Sequence, residues 1–225
     1  MIKHLWIIMD WNRRWAKKRS LPSLAWHKKW ADNVEEIIEL VANKKIKYLT
    51  LWALSTENLI NRTENEIEGI INLINKIETK LEKMIQKWLK FDTIWNISKL
   101  PEETQKILKN IKEKTKDNKW ITLILALVYG WQDEIIRWIK KFINEKWDIN
   151  KLTKEEFRQY IDTWKYPVAD LIIRTGGDIR HSWFLLFDSE YSEYYFTETK
   201  WPDFDKKELD KAIDFFKKSK RNFGK

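Results

Sequence analysis

The chain has 225 residues, no cysteine and a net charge of +9. That leaves room for one domain with a sizeable core, excludes disulfides and thiolate metal sites, and favours anionic partners. No uninterrupted apolar run approaches the roughly 20 residues of a membrane span, the amino terminus lacks the layout of a secretory signal, and a cytoplasmic location is expected.

Leu5 to Met9 is a continuous apolar run and predicts a buried strand. It ends on Asp10, with Arg13 and Arg14 close behind. A strand that stops at an acid and feeds a helix is a usual ligand site in an α/β protein. The helix start and the guanidiniums favour an anion and Asp10 suits a divalent cation, which together suggest a metal diphosphate. Arg14 to Arg19 predicts a basic helix or loop, interrupted at Leu21-Pro22. Asn33 to Ala42 has helical periodicity, and Tyr48 to Leu54 predicts a second buried strand ending in the polar cluster Ser55, Thr56, Glu57, Asn58. Glu64 to Leu89 reads as one long amphipathic helix and Phe91 to Ile97 as a short strand. Pro101 opens another helix, and Trp120 to Tyr129 is the most apolar strand, ended by Gly130. Asp133 to Asn144 and Thr153 to Thr163 predict helices, the second opened by a Thr153/Glu156 capping box.

Ala169 to Ile173 predicts a strand that runs into Arg174, Gly176, Gly177, Arg180, His181 and Ser182, a loop suited to phosphate. Phe184 to Phe187 predicts a short strand, followed by an acidic, aromatic stretch to Phe196. Trp201 to Phe204 is a turn, and Lys206 to Lys220 a final basic helix. Strands alternating with helices argue for a single α/β domain over residues 1–225, with a mostly parallel central sheet flanked by helices on both faces.

Glycine occurs 5 times and tryptophan 15 times, where average usage gives about 16 glycines. Several tryptophans sit where glycine belongs: Trp88 and Trp147 fall at predicted helix ends, where a left-handed residue is expected. Trp11 lies where a phosphate needs to approach the backbone.

Met9-Asp10-x-Asn12-x-Arg14-Trp15-Ala16, then His27, Leu51 to Asn58, Tyr129-Gly130, Asp170 to Gly177 and Trp201 to Phe204 closely resemble, in this order, the cis-prenyltransferases. The bacterial undecaprenyl diphosphate synthases are the nearest subgroup, and the match covers essentially the whole chain. The family shows glycine where this chain has Trp11, Trp26, Trp30, Trp131 and Trp183, whereas Trp15 and Trp201 match true family tryptophans. A UGA codon read as glycine by the source and rendered as tryptophan in translation would account for so selective an exchange; the alternative is a genuinely tryptophan-rich variant.

The resemblance implies condensation of an allylic diphosphate, such as farnesyl diphosphate, with successive isopentenyl diphosphates. The product would be a long cis-polyprenyl diphosphate carrier lipid. It implies Mg²⁺ held by Asp10 and Glu193, with Asp10 and Asn58 as catalytic residues. The allylic diphosphate would be bound by Trp11, Asn12, Arg13, Arg14, Trp15, Ser23 and His27. The polar cluster Ser55, Thr56, Glu57, with Leu59 and Arg62, would lie beside the reacting centre, and Arg174, Arg180, His181 and Ser182 would take isopentenyl diphosphate. A neutral amide such as Asn58 is a poor base. Apolar strand faces and the helix from Glu64 would line a hydrophobic tunnel. A homodimer, peripheral membrane contact for product release and no nucleic-acid partner are further expectations. The chain departs from the pattern at Ser23, where Arg is frequent, at Arg13, Leu59 and Gln132, and by an apparent one-residue insertion before Arg62. The alternative is a non-catalytic lipid-binding subunit of the same fold, which indoles at Trp11 and Trp183 would favour by obstructing phosphate.

Overall fold

The computed structural model describes residues 1–10, 15, 19–20, 23–94, 97–145, 148, 150 and 152–222, the side chains of 23–28 excepted. Six parallel strands form one sheet in the order β3-β4-β2-β1-β5-β6. They are β1 His4–Ile8, β2 Tyr48–Trp52, β3 Lys90–Ile94, β4 Thr122–Ala126, β5 Leu171–Arg174 and β6 Glu193–Phe196. Central β1 reads His-Leu-Trp-Ile-Ile and is buried at every position, as a parallel strand covered on both faces must be.

The helices are α1 Ser23–Asn43, α2 Thr56–Asn61, α3 Glu64–Asn75, α4 Ile77–Gln86, α5 Glu102–Lys114, α6 Trp131–Asn144, α7 Lys154–Arg158 and α8 Lys206–Lys218. Ser55 caps α2 by accepting from the Asn58 amide at 3.0 Å. The expected capping box forms at Thr153 and Glu156.

Three stretches differ from the sequence reading, one of them simply by length: the helix expected over Thr153 to Thr163 ends at Arg158. The expected single helix over 64–89 breaks at Lys76 (φ −89°, ψ 1°) into α3 and α4. Ile70, Ile74, Leu81 and Met84 are all buried, so the apolar period runs across the break without registering it. Phe184 to Phe187 is not a strand. Ser182 (φ +58°) and Leu185 (φ +24°) turn the backbone left-handed there, and Phe187–Ser189 forms a 3₁₀ turn. The edge strand comes instead from Glu193–Phe196, half-buried along its length. Trp88, expected to be left-handed, has φ +67° and is exposed; Trp147 lies outside the described residues.

The register puts His4, Trp6, Thr50 and Trp52 on one sheet face. There His4 is fully buried: Nδ1 meets the Pro167 carbonyl at 2.7 Å, and Nε2 meets Trp6 Nε1 and Thr50 Oγ1, each at 2.8 Å. Trp6 can only donate, so Nε2 accepts and the proton sits on Nδ1. Burial holds the His4 pKa down to about 4. Nearby, Asp92 takes hydrogen bonds from Lys165 and the Tyr166 hydroxyl and an ion pair with Lys112 at 2.7 Å. Burial pushes the Asp92 carboxyl up, but these partners outweigh it and hold it below its ordinary value.

Candidate active site

The chain leaves β1 toward β2 on one side, while β5 lies on the other. Ligands of open α/β sheets bind beyond the carboxyl ends of strands at such a reversal. Asp10 follows β1 there and Arg174 ends β5, and their side chains lie 3.8 Å apart. They face a cavity of about 450 Å³ that Asn58, Arg62, Arg180 and Ser182 also line.

Arg174 is buried. Its Nη1 donates to the Arg180 carbonyl at 2.6 Å and to Ser182 Oγ at 2.8 Å. Burial lowers its pKa, and Asp10 opposes that shift. Asp178, which the sequence reading passed over, bridges both guanidiniums: its Oδ2 lies 3.4 Å from Arg174 Nη2 and 2.7 Å from Arg180 Nη2. Gly176 has φ +95°, and a Cβ there would sit 2.6 Å from Asp10 Oδ2. The site therefore admits only glycine at this position.

The polar cluster after β2 divides in two. Ser55, Asn58 and Arg62 line the cavity. Thr56 turns away and donates to the Val128 carbonyl at 3.0 Å, and Glu57 packs beside Gly130. Leu59 packs on the core. Val128 is fully buried with φ +53°, a strained conformation for a β-branched residue. Trp52 and Trp183 line the same cavity. Trp183 forms a wall, and the cavity volume is what remains with its indole in place.

Like Thr56, Glu57 and Leu59, three further expected site residues lie off the cavity. Trp15 is buried, and its Nε1 donates to Asp203 at 2.8 Å beneath the Arg19 guanidinium. It ties the chain after Asp10 to the Trp201–Asp203 turn and does not line the cavity. His181 does not line the cavity either. Glu193 pairs with Leu171 and so stands level with Leu5, five residues before Asp10. At about 3.3 Å per residue, one chain does not bring it to Asp10. The acid beyond the carboxyl end of β6 is Glu198, whose Cα would lie 3.8 Å from a Cβ on Gly177. Trp11, Asn12, Arg13 and Arg14, and the side chains of Ser23 and His27, lie outside the described residues.

Ala53 also borders a second, apolar cavity of about 30 Å³, which Trp30, Val34, Ile70, Ile74 and Leu125 help to enclose on the opposite sheet face. The charged cavity and the apolar one thus meet at the end of β2.

The family model described as "Putative undecaprenyl diphosphate synthase" matches residues 8–224. The chain belongs to this family. An isoprenyl transferase of Treponema denticola is 39% identical over 99% of the chain and 97% of its own length. One from Aquifex pyrophilus is 40% identical over 99% and 96%. Among solved structures, lavandulyl diphosphate synthase from Lavandula x intermedia in complex with dimethylallyl diphosphate superposes with a TM-score of 0.94. It is 29% identical and is covered over 100% of this chain and 98% of that one. A probable undecaprenyl diphosphate synthase from Campylobacter jejuni gives 0.83, at 32% identity and 100% and 99% coverage. The chain is a prenyltransferase enzyme of the cis-prenyl elongating type.

Proposed function

We propose that this prenyltransferase extends an allylic diphosphate, such as farnesyl diphosphate, with successive isopentenyl diphosphates to a long polyprenyl diphosphate carrier lipid, in a Mg²⁺-dependent reaction. The supporting observation is the meeting of Asp10, Arg174, Arg180 and Ser182 at one cavity that shares Ala53 with an apolar one. Guanidiniums and a hydroxyl suit a diphosphate, and the apolar cavity suits the prenyl tail. That apolar cavity lies among α1, α3, α4 and the sheet, where the growing chain would run.

Asp10 is the residue that would hold Mg²⁺. The chain would offer that carboxylate, and diphosphate oxygens and water would complete the shell. That is the habit of Mg²⁺. A bound Mg²⁺ would neutralise charge on the departing diphosphate. Arg174, buried and fixed by Ser182, orients isopentenyl diphosphate without reorganising. Asn58 and Ser55 line the same cavity and would lie beside the forming C–C bond, where a proton must leave. Arg13, Arg14 and His27 are proposed to hold the allylic diphosphate, and Glu193 to contribute as a second acid only from another chain.

A homodimer fits the exposed Ile136, Ile143, Phe187 and Tyr191. Peripheral membrane contact fits exposed Ile60, Ile179 and Trp183, close in sequence to cavity residues, and the net charge of +9. No helix is long and apolar enough to cross a membrane among the described residues, and we propose a cytoplasmic site of action. The test is incorporation of labelled isopentenyl diphosphate into lipid product with farnesyl diphosphate. Incorporation that is abolished by chelation and restored by Mg²⁺ is expected. Incorporation indifferent to chelation refutes the metal assignment, and none under any condition refutes the substrate assignment.

A further inference from the structure

One buried carboxylate beside the site is not used by the chemistry above. Glu134, in the first turn of α6, is 4% exposed. Its Oε2 accepts from the Tyr129 hydroxyl at 2.6 Å and its Oε1 from the Asp162 amide at 2.7 Å. From this carboxylate two routes lead to the isopentenyl diphosphate pocket. Along the first, the Tyr129 ring meets Phe184 edge-on at 6.0 Å, and Phe184 stacks on cavity-lining Trp52 at 5.0 Å. Along the second, the amide of Trp131, first residue of α6, donates to the Trp183 carbonyl at 3.0 Å. Trp183 follows Ser182, the residue that fixes Arg174. The Tyr129 backbone also donates to the Leu54 carbonyl at 3.0 Å, holding the strand end before Ser55.

We propose that Glu134 is a positioning residue for the isopentenyl diphosphate half of the site: through Tyr129 and the first turn of α6 it fixes the Ser182–Phe184 segment against Arg174. This rests on the assignment of that pocket made above. The Ser182–Phe184 segment needs such a brace. Ser182 and Leu185 both have left-handed backbones, and the segment lacks strand pairing. An ionised carboxylate can accept from both donors, whereas a protonated one gives up part of that capacity. The groups facing Glu134 set its charge. Asp162 lies behind it, bridged with Asp133 by Arg137 at 2.7 and 3.5 Å. Asp188, held by Arg158 and Thr163, acts on Tyr129, and Lys165 is paired with Asp92. Burial, with Asp162 adding to it, raises the Glu134 pKa to about 7, so the brace changes state near neutral pH.

The test is steady-state kinetics on the full chain, varying each substrate separately. Glu134→Ala is expected to raise KM for isopentenyl diphosphate by about tenfold or more, with KM for the allylic diphosphate little changed. Tyr129→Phe should move it the same way and serves if Glu134→Ala does not fold. In the wild type, KM for isopentenyl diphosphate should rise as pH falls through about 7, and Glu134→Gln should remove that inflection. A purely structural role would lower the active fraction, and hence kcat, with both KM values unmoved; that outcome overturns the proposal. Arg174→Ala is the control. If it leaves KM for isopentenyl diphosphate unchanged, the pocket assignment fails. If it raises that KM while Glu134→Ala and Tyr129→Phe do not, only the brace fails.

Discussion

The same sheet carries polar side chains toward both ends, and they behave differently. Toward the amino end, His4, Thr50, Asp92 and Tyr166 are buried and satisfied by one another, by Lys165 and by the Pro167 carbonyl. Toward the carboxyl end, Arg174 Nε, Glu57 Oε2 and Trp52 Nε1 are buried without a hydrogen bond among the described residues. Left-handed backbones gather there as well, at Val128, Gly176, Gly177, Ser182 and Leu185. A buried polar group left without a partner costs about 1–3 kcal/mol, and a strained residue costs a similar amount. On the proposed function, the first layer would serve folding, while the second would be held ready for a charged ligand.

That contrast predicts a separation of activity from stability. The largest effect is expected from Asp10→Ala, with turnover falling by about 10²–10³-fold and the fold intact by circular dichroism. Near-normal turnover would erase the distinction between the two ends. His4→Phe should do the reverse. It leaves Trp6 and Thr50 without their acceptor and should lower unfolding free energy by about 2–4 kcal/mol, with turnover per folded molecule preserved.

The two ends also differ in their pH response. The folded-state pKa of His4 lies near 4, below its ordinary 6.5. Its contribution is present above pH 6.5 and is lost as pH falls toward 4. Glu134 is raised from 4.5 to about 7, so its burial favours the protonated form, and stability falls as pH rises between those values. Denaturation midpoints of His4→Phe and Glu134→Gln across pH 4 to 8 should lose opposite slopes. Parallel curves would show that neither group titrates as described. The smallest effect belongs to Trp88, in the turn between α4 and β3. With φ +67° and an exposed side chain, Trp88→Gly should stabilise by roughly 1 kcal/mol with activity unchanged. Glycine encoded at this position in the source would lead to the same protein.

Much of the fold was legible before any coordinates. β1, β2 and β4 are buried on both faces, so their apolar runs stand out from the chain. Asp10 and Arg174 sit at strand ends, and Arg180 and Ser182 in the loop after β5, within recognisable motifs. The edge of the sheet was harder to read. Phe184-Leu-Leu-Phe187 has the composition of a strand, yet Phe184 is drawn into an aromatic cluster and the backbone turns twice. Glu193-Tyr-Tyr-Phe196 looks like a surface loop, yet pairs with β5. Trp15 and Glu193 match family motifs, but motif order says nothing about which end of a strand a residue occupies.

By itself, the sequence determined the α/β alternation, the buried central strands and the acid and guanidinium residues at their ends, because hydrophobic period and strand termination are local properties. Tertiary structure alone decided the bridge of Asp178 between two arginines, the brace from Glu134 through Tyr129, and the separation of Glu193 from Asp10. Those depend on strand register and on contacts between residues far apart in the chain, and no local pattern carries either.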